Sequence, residues 1–159
     1  MVHTMVEADR PLQTTPRDGR EPLVDELIDW MVNGARPSAS AKAIIRCICE
    51  RLLEIGVPID RFALFIFTLH PNLQGRRFRW FRDGDVDIAE APMGMFSTEI
   101  YRANPIPHVI ECGESIRRHL EDPDCPEDYL IVGELREQGL TDYLAVPLVF
   151  TTGETHVGA

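Results

Sequence analysis

The stretch RFALFIFTL, beginning at Arg61, constrains the fold more than any other segment. It is almost continuously apolar, as expected of a central strand with both of its faces covered. A chain containing it needs a sheet with one packing layer above and another below.

The segments ahead of it supply helices. Pro22 suits a first helical position, where its missing N–H has no intrahelical duty. From there Val24, Leu27, Ile28 and Met31 follow the i, i+3, i+4, i+7 spacing of one stripe, with Leu23 and Trp30 widening it. Asn33-Gly34 supplies the left-handed stop. A second helix, capped by Ser38 or Ser40, carries Ala41, Ile44, Ile45, Ile48, Leu52 and Ile55 on one face. Lys42, Arg46, Glu50 and Glu54 turn to water, and Gly56 with Pro58 ends the helix.

After the apolar strand, HPNLQGR reads as a loop and FRWFR as a strand that turns at Asp83-Gly84 into DVDIAE. Strict two-residue closure pairs Phe81 with Val86 and sets Trp80 across from Asp87, unless a bulge shifts the register. Ser97 or Thr98 caps a turn or two carrying Ile100 and Tyr101, which Asn104-Pro105 stops. Another short helical turn leads to a tight turn at Gly113 and a strand ending near His119-Leu120. Asp124 or Cys125, with Pro126, Glu127 and Asp128, is expected to open a helix that closes at Gly139. TDYLAVPLVF, a turn at Gly153 and a last strand in ETHVGA complete the chain, with Pro147 implying an edge or a bulge. The fold class is therefore α+β: an antiparallel sheet with N-terminal helices on one face and short helices and loops on the other. Residues 1–21, with little apolar periodicity, read as a mobile tail, and 22–159 as one domain.

Charge narrows the partners. The net charge is -10, with 26 acidic against 16 basic side chains, whereas a nucleic-acid binder shows a basic stripe. The dense basic cluster Arg76, Arg77, Arg79 and Arg82 is followed at once by Asp83, Asp85 and Asp87. It reads as a solvated hairpin with cross-strand ion pairs rather than a phosphate-binding patch. No run approaches the roughly 18–20 apolar residues of a membrane span, and no signal peptide is expected. Cys47, Cys49, Cys112 and Cys125 are far apart in a chain of cytosolic character, so reduced thiols and a cytoplasmic location are expected.

The last third, with ECGESIRR and then TDYLAVPLVFTTGETHVGA, resembles the GAF family of small-molecule-sensing domains. A narrower resemblance runs from about Asp25 to the end. ELIDWMVNGAR, TLHPNLQGRRFRW, DPDCPEDY and LTDYLAVPLVF are similar to the GAF-like region ahead of the catalytic domain in some bacterial class III adenylate cyclases. The resemblance implies a non-catalytic regulatory module in cyclic nucleotide signalling, with a small ligand between the sheet and its covering loops. It also implies a C-terminal helix and a cyclase domain beyond Ala159, so the chain is expected to be a truncated form or a fragment. Family helices of this kind join in a dimer bundle, which makes Val24, Leu27, Ile28 and Met31 the candidate interface of a homodimer. The cyclase's metal-binding aspartates and transition-state arginine have no counterparts here.

Phe65, Phe67, Trp80, Phe96, Tyr101 and Tyr143 are candidates to line a ligand pocket, with His108, Arg117 and His119 as candidate polar anchors. The plainer alternative makes these aromatics ordinary core and points the polar residues outwards. His108, Cys112, His119 and Cys125 are zinc-ligand types, but their spacing lacks a C-x2-C knuckle, so neither a metal nor another cofactor is expected. Cys47 and Cys49, two apart on a helix, cannot act as a redox pair and read as core and border residues. Cys125, though placed at an expected helix start, is surrounded by acids and reads as structural. No phosphate-binding glycine loop or nucleophile elbow occurs, and no catalytic residue is assigned. The competing expectation is a dimerisation module with a filled interior and no ligand.

Overall fold

The computed structural model describes residues 19–37 and 40–159. The expected tail lies mostly outside the described residues, as does Ser38. The chain divides into two compact units, the break falling between Arg36 and Pro37.

The first unit carries helix α1, Glu21–Val32, with Pro22 in its first turn. Gly34, at a φ of +81°, takes the left-handed conformation that stops it. The Trp30 indole N–H closes the following loop by donating to the Arg36 carbonyl at 3.0 Å. Leu27 is buried, whereas Val24, Ile28 and Met31 are exposed, so the expected interface stripe is open at three of its four positions.

The second unit opens with α2, Ala41–Ile55, whose Ser40 hydroxyl accepts from the Ala43 amide at 3.2 Å. Gly56, left-handed, ends it. The strands are β1 Arg61–His70, β2 Leu73–Phe81, β3 Asp87–Pro92, β4 Ile116–His119, β5 Asp142–Val149 and β6 Thr155–Gly158. They form one open antiparallel sheet in the order β3-β2-β1-β6-β5-β4. The short helices α3 Glu99–Arg102 and α4 Pro105–Cys112 lie between β3 and β4, and α5 Leu130–Glu137 between β4 and β5.

The two-sided apolar strand behaves as its composition requires. Phe62, Leu64 and Ile66 pack with Phe78, Trp80 and Val86 against Ile45, Cys49 and Leu53 of α2. Phe65 and Phe67 face the other way, into a cluster with Ile106 and Val109 of α4, Ala145 and Val157. A third cluster joins Val132 and Leu135 of α5 to Leu120. Each such side chain, fully buried, contributes about 1.5–3 kcal/mol. The last strand is central: β6 pairs with β1 on one side and β5 on the other, joining two halves of the sheet distant in sequence.

Three local expectations need correction. HPNLQGR is not a loop throughout, because β2 already begins at Leu73. Gly75 permits this, since a Cβ there would meet the Ile66 carbonyl oxygen at 2.6 Å. The β2–β3 connection is longer than a two-residue turn: Arg79, not Trp80, stands opposite Asp87. Asp85 is drawn out to ion-pair with Lys42 and Arg46 of α2, and Val86 is buried against the same helix. The fifth helix starts at Leu130 rather than at Asp124 or Cys125. Its expected opening acids are engaged by arginines instead, Asp128 by Arg118 at 2.5 Å and Glu127 by Arg136 at 2.5 Å. Cys125 is therefore not at a helix terminus. The edge expected at Pro147 is present: β5 has neighbours on both sides, but β4 covers only Asp142–Ala145, so Pro147 pairs with Val157 alone.

The four cysteines are free thiols, Cys49 buried and Cys47 at the border of α2. No helix among the described residues is long and apolar enough to cross a membrane.

Candidate ligand-binding site

An open cavity of about 840 Å³ lies where β1 and β6 part. The seam between these strands runs from the Ala63–Ala159 hydrogen bonds to the Phe65–Val157 pair. Beyond it the Phe67 amide is taken by a side chain: it donates to His156 Nδ1 at 3.2 Å. The strands no longer close on each other there. Phe67, Thr68, Leu73, Gln74, Thr155 and His156 form the floor, and Met93, Phe96, Tyr101 and Ile110 form the cover.

The cover is built by local capping. Thr98 accepts from the Tyr101 amide at 3.2 Å and donates to the Met95 carbonyl at 2.7 Å, joining the 3-10 turn Met95–Ser97 to α3. Gln74 Oε1 accepts from the Phe96 amide at 3.2 Å, tying that turn to β2. These bonds fix three rings in series. Phe67 meets Phe96 edge-on with centroids 5.3 Å apart, and Phe96 stacks on Tyr101 at 4.7 Å. The His156 ring lies near-parallel to Phe67 at 6.1 Å and is braced edge-on by Phe150 at 4.8 Å. Such ring faces offer offset stacking to a flat ligand.

Three cavity groups can bond a ligand with evident polarity. Because His156 Nδ1 accepts a hydrogen bond, the neutral imidazole carries its proton on Nε2, which makes no bond to protein among the described residues. Burial, reinforced by Glu111, pushes the Tyr101 phenol above its usual range, so it remains a donor at neutral pH. Glu154, beside the β5–β6 turn, is the charged side chain of the described lining.

Of the seven sequence-selected pocket residues, Phe67, Phe96 and Tyr101 are brought together here. Trp80 is not: it is buried on the opposite face against α2. Phe65 and Tyr143 belong to the packed cluster beneath α4, where burial holds the Tyr143 phenol well above its usual range. His108 is exposed on α4, its Nδ1 3.9 Å from Cys112 Sγ. Arg117 and His119 point outwards from β4 toward Asp142. The four zinc-type side chains do not converge, and no group of three or more potential metal ligands occurs among the described residues. His156 was absent from the sequence selection; its one signal is a lone imidazole in a short terminal strand next to Val157.

The arginine cluster is an ion-pair lattice. Arg76 faces Glu90 at 3.1 Å, Asp87 serves both Arg77 and Arg79 at 3.1 and 3.3 Å, and Arg82 meets Asp60 at 3.1 Å. A second depression, of about 500 Å³, lies beside Arg61 and Arg82. Arg61 there reaches Glu134 and Gln138 of α5.

No protein-family model matches the chain, and no curated protein matches it significantly.

Proposed function

We propose that the chain is a non-catalytic, cytoplasmic GAF-like regulatory module of an adenylate cyclase-type signalling protein. The observation that carries the reading is the open, ring-lined cavity between the sheet and the short helices, where the resemblance places a ligand. The cavity is of ordinary ligand-site size and mostly apolar, with a few polar groups converging on it. Among its described lining residues no nucleophile is held by a base.

The mechanism is ligand-biased packing. A molecule held between Phe96 and His156 contacts both the covering turn and the β1–β6 seam. It favours whichever arrangement of α3 and α4 closes best upon it, and only that difference in affinity transmits a signal. The exposed apolar positions Val24, Ile28 and Met31 of α1 are the proposed contact of a homodimer.

Thermal-shift screening of the chain against metabolites and cyclic nucleotides tests the sensory role. A ligand at 100 times its dissociation constant adds about 2.7 kcal/mol of stability. The rival, a dimerisation module with a filled interior, predicts no ligand-dependent shift and keeps only the dimer. Sedimentation of Ile28→Asp tests that part separately: an unchanged profile removes α1 from the interface.

A further inference from the structure

We propose that the cavity selects a flat heteroaromatic molecule that is uncharged or cationic, and that it rejects phosphate- and carboxylate-bearing ligands. This rests on the sensory reading of the same cavity and adds the chemistry of its ligand.

The argument is one of charge and donor direction. Among the described residues lining the cavity there is no lysine or arginine, and Glu154 contributes a carboxylate. Glu111 adds a second negative charge close to Tyr101. A bound phosphate would lose water, meet the Glu154 carboxylate and find no lysine or arginine in the described lining. The nearest arginines on this face of β2 are Arg77 and Arg79, outside the lining and joined by Asp87. Electrostatics therefore oppose an anion and favour a cation.

The rings select shape. Phe67, Phe96 and Tyr101 present stacked and edge-on faces, and His156 Nε2–H, which bonds no protein group among the described residues, can donate to a ring nitrogen or carbonyl. A heteroaromatic ring with one acceptor satisfies both features. A ligand without an acceptor leaves the donor unpaired, and one without a ring forfeits the stacking; either loss costs affinity.

Isothermal titration calorimetry on the full chain tests this with three quinolines substituted at the same ring carbon: hydroxymethylquinoline, aminomethylquinoline and quinoline carboxylate. Adenosine and cyclic AMP form a second pair differing by one anionic group. The expected result is binding of the neutral and cationic quinolines, with the carboxylate at least tenfold weaker, and adenosine at least tenfold tighter than cyclic AMP. Glu154→Gln, a change at an exposed side chain, should narrow the carboxylate gap and weaken the cationic quinoline relative to the neutral one. Phe96→Ala should abolish binding of all.

Tighter binding of cyclic AMP or quinoline carboxylate, lost in Phe96→Ala, overturns the selectivity while leaving the sensory reading intact. Anion binding that instead vanishes in Arg77→Gln also overturns it and moves the site to the β2 arginines. Silence from all five probes overturns the ligand class; the sensory reading falls with it only if the metabolite screen is silent as well.

Discussion

The amide of Phe67 donates to Nδ1 of His156 across the point where β1 and β6 separate. One imidazole thus ends a ladder, satisfies a backbone donor and orients its own remaining proton. The same side chain lines the cavity, so the geometry of the site and the integrity of the central seam depend on one residue.

His156→Leu keeps most of the volume and removes the acceptor. Leaving the Phe67 amide without its partner should cost about 1–3 kcal/mol in urea unfolding. A loss under about 0.5 kcal/mol would mean the bond does not hold the seam.

Gly75→Ala should destabilise the chain although it adds a single methyl group. The new Cβ meets backbone, the Ile66 carbonyl oxygen at 2.6 Å, and β1 and β2 must part to admit it. Overpacking of this kind costs about 1–3 kcal/mol. Equal urea midpoints for the variant and the parent would refute the close approach.

How far the sequence disclosed this arrangement depends on whether local pattern or distant contact decided each element. The extent of α2, its Ser40 cap and Gly56 stop, and the two-faced β1 follow from spacing within a few residues. The expected α2 stripe is rotated: Ala41 is exposed, and Cys49 and Leu53 join Ile45 against the sheet. The onset of β2 did not, because Gly75 looks like a loop residue until its strand neighbour is known. Nor did the Asp87 register, which depends on the Asp85 ion pairs to a helix about forty residues earlier. The acids before α5 matched a helix start locally, yet Arg118 and Arg136 claim them. For the site, aromatic character selected Phe67, Phe96 and Tyr101 but could not separate them from Trp80, whose face is set by alternation along β2. His156 required knowing that the final short strand lies in the middle of the sheet.

Cys49 should report global unfolding. Burial, with Glu50 adding to it, pushes its thiol up to about 12, so at pH 8 it is protonated as well as covered. With a thiol-reactive dye, exposed Cys112 should react within the mixing phase, and Cys49 only at the unfolding rate. Since its folded pKa is raised, the thiol's contribution to stability is complete below about pH 9 and is lost as pH climbs through about 12. Rapid labelling of Cys49 in native conditions would contradict the packing of α2.

Acid should weaken the fold with a sign fixed by three carboxylates. Hydrogen bonds from Lys42, Arg118 and Arg117 hold Asp85, Asp128 and Asp142, respectively, below the usual carboxylate range. Their contribution is present above the unfolded pKa of about 4 and is lost as pH falls through the lower folded values. Stability should therefore decline from about pH 5 downwards, and high salt should flatten the slope because these pairs are largely exposed. The Asp128→Asn, Asp142→Asn double variant should show a shallower acid limb; an unchanged limb would remove these pairs from the account.

The most direct test of the proposed ligand-receiving role of the cavity is a methyl-NMR titration of the full chain with hydroxymethylquinoline. The Met93 and Ile110 methyls line the cavity, whereas those of Ile45 and Ile66 lie on the α2 side of the sheet. Saturable shifts at Met93 and Ile110, with Ile45 and Ile66 nearly still, are the predicted result. Shifts confined to the α2 side, or none with this ring or with any compound of the metabolite screen, would contradict a ligand-receiving interior.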